Sequence, residues 1–304
     1  MSRWTTNDIP LQAGRTAVVT GTGGIGFEIA LALARAGTRV VIAGRNPDKG
    51  AQAVAAIHQA IPAAQVMFGQ VDLGDLASID AFAYRLAQEQ DSLDILINNA
   101  GVMNPPTRRE TRDGFELQLG TNHLGHFALT AGLLPLLKRG NTPRVVSLSS
   151  VAARDGAIDF DNLQAEHGYK PMSVYSQSKL ACLMFALEFD RRSQAGGWGV
   201  AGIAAHPGVS RTDLLPNGAG RTSAAGLARR FLWFLFQPAS QGALPALFAA
   251  TDPAARRGAY YGPDRLGETR GHPTEAKMPK QALDATVASR LWEVSQRLTR
   301  TSFG

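Results

Sequence analysis

Only one cysteine, Cys182, occurs in the 304 residues. That excludes an internal disulfide framework and a cysteine-built zinc site within one chain, and it predicts a reducing, cytoplasmic compartment. Long apolar runs are missing as well: the most aromatic one, FLWFLF at Phe231–Phe236, is far too short to cross a bilayer. The N-terminal stretch MSRWTTNDIPLQAG lacks an apolar core and carries acidic and polar residues, so it reads as neither a signal peptide nor a transit peptide. No Pro/Ser-rich linker, charge run, internal repeat or low-complexity tract divides the chain, which predicts a single domain over residues 1–304. A formal charge of +6 and a pI near 9.8 suit anionic ligands. The basic residues are scattered instead of grouped, so they predict a solvated surface and no nucleic-acid partner.

What is present is an alternation. RTAVVT, TRVVIA, QVMFGQ, LDILI, PRVVSLS and GVAGIAA read as strands, and most of the segments between them are long enough for crossover helices. The runs are continuously apolar, as strands buried on both sides require, so the expected fold is α/β: a doubly wound parallel sheet with helices on both faces. Ligands of such sheets bind beyond the carboxyl ends of the strands, which directs attention to the residues just after each one.

After the first strand comes TGTGGIG, with Gly21, Gly23, Gly24 and Gly26 ahead of a helical pattern in which Ile25, Ile29 and Leu33 recur. Strand, glycine turn and helix leave backbone N–H groups bare at a helix N-terminus, where a phosphate is favoured. The G-x-G-x-x-G spacing is a dinucleotide signal when the parallel pattern continues, as it does here. Arg45 follows the second strand, 19 residues beyond Gly26, and no Asp or Glu lies between Gly37 and Pro47. An acidic residue there would take the 2′-hydroxyl of NAD; an arginine pairs with the 2′-phosphate of NADP, so NADP is favoured and NAD is the alternative. Asp72, in VDL after the third strand, is placed to meet an adenine amino group. NNAG, Asn98 to Gly101, follows the fourth strand and lets backbone come close to a ligand, although both stretches also suit ordinary turns.

The fifth strand ends in SLSS, and 25 residues after Ser150 stands YSQSK, Tyr175 to Lys179. Residues four apart share a helix face, so phenol and ammonium sit side by side. A neighbouring cation favours the phenolate, and such a pair is a tunable general acid/base.

Taken in order, TGTGGIG, VDL, NNAG, TNHLG, SLSS, YSQSK and HPGVSRTDL resemble the short-chain dehydrogenase/reductase family over nearly the whole chain. YSQSKLA, TNHLGHF, GYK and the long Ser150–Tyr175 interval are most similar to its retinol dehydrogenase and WW-domain oxidoreductase branch. The resemblance implies a Rossmann-type domain and an NAD(P)-dependent alcohol or carbonyl oxidoreductase. It implies that Tyr175 passes a proton to the substrate oxygen, that Ser150, in preference to Ser149, hydrogen-bonds that oxygen, and that Lys179 tunes the tyrosine and holds the nicotinamide ribose. Asn122 would fix a relaying water. Pro207, Gly208, Val209 and Thr212 would position carboxamide and pyrophosphate, and Gly21, Gly23, Gly24, Ile25, Gly26, Arg45, Asp72, Leu73, Asn99, Ala100 and Gly101 would line the rest of the dinucleotide. A homodimer or homotetramer is common in the family; the apolar helix Thr121–Leu137 suits an interface or the core equally.

In one place the chain departs from the family. The usual loop is T-G-x-x-x-G-x-G, and TGTGGIG is one residue shorter, so either Gly23 adopts a positive φ or the first glycine contact shifts by one position. The shortening also leaves Arg45 as the sole carrier of the NADP assignment. A substrate lid is expected at about residues 213–237, where Phe231, Trp233, Phe234 and Phe236 suggest an apolar pocket for a lipophilic ketone, aldehyde or alcohol. Arg221, Arg229 and Arg230 ahead of the aromatics admit an interfacial membrane helix as the rival reading, and plain core packing against the sheet stands level with the lid. His123 and His126 have no supporting ligand set and read as structural, so no metal is expected. No G-x-S-x-G makes a serine a hydrolase nucleophile. Cys182 reads as a small core residue. The competing functions are a C=C reductase, by resemblance to protochlorophyllide reductase, and a non-catalytic nucleotide sensor. The intact set Asn122, Ser150, Tyr175 and Lys179 argues against the sensor, which needs no proton donor.

Overall fold

The first strand, β1 (Thr16–Thr20), is buried at every position. A strand that meets solvent on neither face belongs in the middle of a sheet covered on both. The computed structural model, which describes residues 3–210 and 237–303, has it there. With β2 (Arg39–Gly44), β3 (Val66–Gln70), β4 (Ile95–Asn98), β5 (Arg144–Leu148), β6 (Ala201–Ala205), β7 (Tyr260–Arg265) and β8 (Arg270–Glu275) it forms one sheet in the order β3-β2-β1-β4-β5-β6-β7-β8. Strands β1 to β7 run parallel, and β8 turns back antiparallel on β7. The six strands expected from sequence are all present. The last two are not apparent there, because YYGPDR and RGHPTE carry Gly and Pro and no sustained apolar run.

Successive strand residues point to opposite faces, and the two cores divide accordingly. Ala17 and Val19 face α1 (Gly24–Arg35), α2 (Pro47–Ala60) and α7 (Ala239–Thr251); Val18 faces α3 (Leu76–Glu89), α5 (Gly125–Leu137) and the C-terminal helix α8 (Ala285–Thr299). Helix α1 follows from its sequence: Ile25, Ile29 and Leu33 make one buried stripe. It stops at Gly37, whose φ of +91° lets its N–H reach Ala34 O and lets Thr38 N–H reach Leu33 O.

Between β4 and α5 lie a single turn, α4 (Leu117–Leu119), and a five-residue π-helical turn, Gly120–Leu124. Helix α5 then runs with nearly every side chain buried. Its outer side is closed by the chain itself: Phe127 packs edge-on against Trp292 of α8 at 4.9 Å and against Phe303 at 5.0 Å between ring centroids. Of the two readings open for Thr121–Leu137, core and interface, this packing supports core. The long α6 (Pro171–Ala195) starts at a proline in its first turn, where the missing N–H costs nothing, and ends at Gly196. No helix among the described residues is long and apolar enough to cross a membrane. Thr212 and the expected lid, apart from Gln237, lie outside the described residues.

Candidate active site

The chain leaves β1 in one direction along the sheet and resumes at β4 in the other, so the carboxyl edge between these neighbours is a switch point open to a ligand. Parallel pairing brings the ends of β1, β4, β5 and β6 to that one edge. Each is followed by a stretch that the sequence singles out.

After β1, Gly21 has φ +100° and donates its N–H to Ala43 O at 2.7 Å. The other positive φ of the turn falls on Gly24, at +53°. Gly23 is extended, φ −138°, and caps α1 without any side-chain hydrogen bond. Of the two ways to close the short loop, a left-handed Gly23 is therefore not the one used. At Gly26 a Cβ would lie 2.4 Å from Gly21 O and 2.7 Å from Asn99 Nδ2, so only glycine lets helix and turn approach this closely. Ile25 anchors the turn in the core. The other two N-termini on the nucleotide half are closed by side chains, Asn46 on α2 and Asp75 on α3. That of α1 is bare, and nothing lies within 4 Å of where a Gly23 Cβ would be. Uncapped N–H groups facing open space fit a pyrophosphate.

Arg45 stands exposed just past β2, and its guanidinium makes no ion pair among the described residues. Asp72 Oδ1 accepts the Gly74 N–H at 2.9 Å, so its carboxylate is partly engaged in its own turn. Leu73 is buried, with its carbonyl against Gly125.

After β4, the Asn99 and Ala100 N–H groups both donate to Thr20 Oγ1 at 2.9 Å, and Asn99 Nδ2 donates to Thr20 O at 2.7 Å. Thr20 thereby locks the NNAG turn to the glycine turn. Its hydroxyl meets His126 Nε2 at 2.9 Å, and His126 Nδ1 lies 2.9 Å from Asn122 O. A carbonyl only accepts, so Nδ1 carries the proton and Nε2 accepts from the threonine. Burial, with the Lys179 charge nearby, depresses the His126 pKa to about 4, and burial with His126 alongside takes His123 to about 3. Both imidazoles are neutral parts of the scaffold. His123 bonds elsewhere, to Ser295 Oγ at 2.8 Å.

Asn122 sits in the π-helical turn with its amide fully engaged: Oδ1 accepts the Val102 N–H at 2.8 Å, and Nδ2 donates to Val102 O and Ser178 Oγ, both at 3.0 Å. Its carbonyl receives His126 and the Cys182 thiol, whose pKa burial raises. Asn122 therefore clamps the turn after β4 to α6. A Cβ at Gly101 would lie 3.0 Å from Asn122 Oδ1 and 3.5 Å from Lys179 Nζ, which places these three together.

Tyr175 and Lys179 share the buried face of α6, and Nζ lies 6.0 Å from the phenol ring centroid. Lys179 donates to Leu148 O at 3.1 Å, which ties it to the end of β5. Ser149 is buried and donates to Lys179 O at 2.8 Å, so its hydroxyl is occupied in joining β5 to α6. Ser150 is half-buried and caps the 3₁₀ turn Val151–Asp155, accepting the Ala152 N–H at 3.2 Å.

After β6, Gly208 has φ +63°, and a Cβ on it would lie 2.3 Å from Thr269 O. Pro207 O accepts Ser210 Oγ at 2.8 Å and Gln237 Nε2 at 2.5 Å, while the Val209 N–H is taken by Thr269 O at 2.8 Å. Sequence reasoning missed His206, Tyr260 and Glu268 around this turn. Only their spatial neighbours reveal them, and Tyr260 and Glu268 stand in the hairpin that the sequence pattern hides.

Residues 15–220 match the family model described as short chain dehydrogenase. The chain is 39% identical over 303 residues to polyprenol dehydrogenase of Mus musculus, covering 97% of this chain and 87% of that one. It is 40% identical over 291 residues to retinol dehydrogenase 13 of Homo sapiens, covering 94% and 84%. A crystal structure of an uncharacterized protein from Mycobacterium paratuberculosis shares the fold with a TM-score of 0.82 and 38% identity, each chain covered in full. The bare glycine turn and the paired Tyr175 and Lys179 thus stand in a chain that belongs to the short-chain dehydrogenase family, as an NAD(P)-dependent oxidoreductase.

Proposed function

We propose that this enzyme prefers NADP(H) and interconverts a carbonyl and an alcohol on a lipophilic small molecule, with Tyr175 as the general acid/base. The observation that carries the reading is the buried pair at the carboxyl edge of the sheet, the Lys179 ammonium 6.0 Å from the Tyr175 ring centroid. The Tyr175 side chain is buried, and its hydroxyl is the group offered to a substrate oxygen. The dinucleotide, when bound, supplies or accepts the hydride. Tyr175 gives its proton to the carbonyl oxygen, and the negative charge developing on the phenol is stabilised by Lys179 in a site walled off from water. Ser150, on the same strand end, hydrogen-bonds that oxygen. Asn122 holds the turn after β4 against α6 and so keeps Lys179 in place.

The lipophilic substrate class rests on kinship: relatives named for retinol and polyprenol share about two residues in five over most of both chains. NADP rests on Arg45, exposed and uncommitted where the 2′-phosphate of a dinucleotide on α1 would come. The test is NADPH consumption with apolar aldehydes and ketones. Wild type should turn over and Tyr175→Phe should fall about a thousandfold, within the usual range for a lost general acid. Equal rates would sink the mechanism, and no turnover of any substrate would favour a nucleotide sensor.

A further inference from the structure

Three segments distant in sequence meet on one carboxylate that plays no part in the Tyr175–Lys179 pair. Glu268 lies in the tight turn between β7 and β8, where Leu266, Gly267 and Glu268 have consecutive positive φ values of 49°, 65° and 68°. Residues with side chains enter this region at a cost, so such a turn persists only where contacts hold it. The contacts are specific. Glu268 Oε2 accepts Arg154 Nη2 at 2.6 Å and faces His206 Nε2 at 3.0 Å, and Oε1 accepts the Lys277 N–H at 2.9 Å. Arg154 also donates to Gly267 O at 3.1 Å.

The two side chains on Glu268 come from elements that matter to catalysis. Arg154 belongs to the turn capped by Ser150. His206 opens the HPGV stretch; its side chain is fully buried, packed on Tyr260 and lodged where Gly262 leaves room, since a Cβ there would lie 2.0 Å from Nε2. The Gly208 N–H donates to His206 Nδ1 at 3.3 Å. For Nδ1 to accept, the proton must sit on Nε2, and a carboxylate at Nε2 holds it there. On its other side, the turn is gripped by Thr269, whose carbonyl takes the Val209 N–H.

We propose that Glu268 is a positioning residue for the nicotinamide end of the dinucleotide, setting the Pro207–Gly208 turn through His206 and the Ser150 turn through Arg154. This rests on the oxidoreductase reading above. It makes the β7–β8 hairpin part of the active-site framework, although it contributes no group to the reaction.

Glu268→Gln tests it. The amide must turn its NH₂ either toward His206 or toward the Lys277 N–H, and against His206 it drives the proton to Nδ1, opposite the Gly208 donor. Affinities of wild type and variant are measured by calorimetry for NADPH and for 2′-phospho-ADP-ribose, which lacks the nicotinamide, with NADH and ADP-ribose in parallel. Glu268→Gln should weaken the dinucleotide about tenfold, the scale of one hydrogen bond to a charged group, and leave the truncated nucleotide within about twofold. Nitrogen NMR should find His206 protonated at Nε2 in wild type and altered in the variant. If Glu268→Gln does not fold, Arg154→Met, which removes one arm, should show the same selectivity with a smaller loss. Equal weakening of both ligands, or unchanged dinucleotide affinity in both variants, overturns the proposal. Wild type that binds neither dinucleotide overturns instead the oxidoreductase reading beneath it.

Discussion

His123 and His126 are sealed in the interior as neutral imidazoles, and that has a thermodynamic consequence. Their folded pKa values, about 3 and about 4, lie below the 6.5 of an unfolded histidine. Between those limits the unfolded chain binds more protons, so stability is present above pH 6.5 and is lost as pH falls. Each should cost roughly 1.4 kcal/mol per pH unit over that window. Urea denaturation from pH 7 to pH 5 would detect it, and His126→Asn should flatten the slope; an unchanged slope would remove His126 from the account. At the cofactor end, Arg45→Glu should reverse the preference from NADPH to NADH, read as the ratio of kcat/KM values. At this scale the pair Tyr175 and Lys179 was legible because a helix brings residues four apart to one face. His126 was legible as structural but its bond was not, because its partner Thr20 lies 106 positions away in the chain.

Among elements, the glycine turn is the most demanding. A methyl group at Gly26 would meet Gly21 O at 2.4 Å and the Asn99 amide at 2.7 Å. Gly26→Ala should therefore cost about 1–3 kcal/mol by overpacking. It should also lower dinucleotide affinity, since the bare N–H groups of α1 would move. Chemical denaturation and NADPH titration check the two effects, whereas Gly23→Ala, with open space around it, should cost no more than about 1 kcal/mol, the scale of a poorer helix cap. The sequence pattern located the turn, the helix after it and five further parallel strands, because each is a local run with its own period. It did not tell which glycines take the positive φ, Gly21 and Gly24: the turn is set against Asn99, which reaches from the end of the neighbouring strand β4 to Thr20 O just ahead of Gly21. Nor did it reveal the β7–β8 hairpin, whose residues lack a strand composition and are held by pairing and by Glu268.

At the scale of the molecule, the described residues close over one face of the sheet with a cluster of rings. The aromatic rings of Phe127, Phe185, Trp292 and Phe303 bring α5, α6, α8 and the C-terminal tail into one cluster. Trp292→Ala should destabilise the fold by about 3–5 kcal/mol, the usual cost of deleting a buried ring, with a matching fall in the urea midpoint. Bound dinucleotide should raise the Tm, and NADPH more than NADH at equal concentration, because the tighter ligand shifts the folding equilibrium further.

By itself, the chain's sequence determined what local rules can write: a doubly wound parallel sheet, a phosphate-seeking glycine turn and a phenol beside an ammonium. Spacing along a strand or helix dictates these, and they need no distant partner. Tertiary structure decided which serine is occupied, which histidines are neutral, and how a carboxylate in an unforeseen hairpin braces two turns of the site. Those depend on burial and on contacts between residues far apart in the chain, which only the packed structure brings within hydrogen-bond reach.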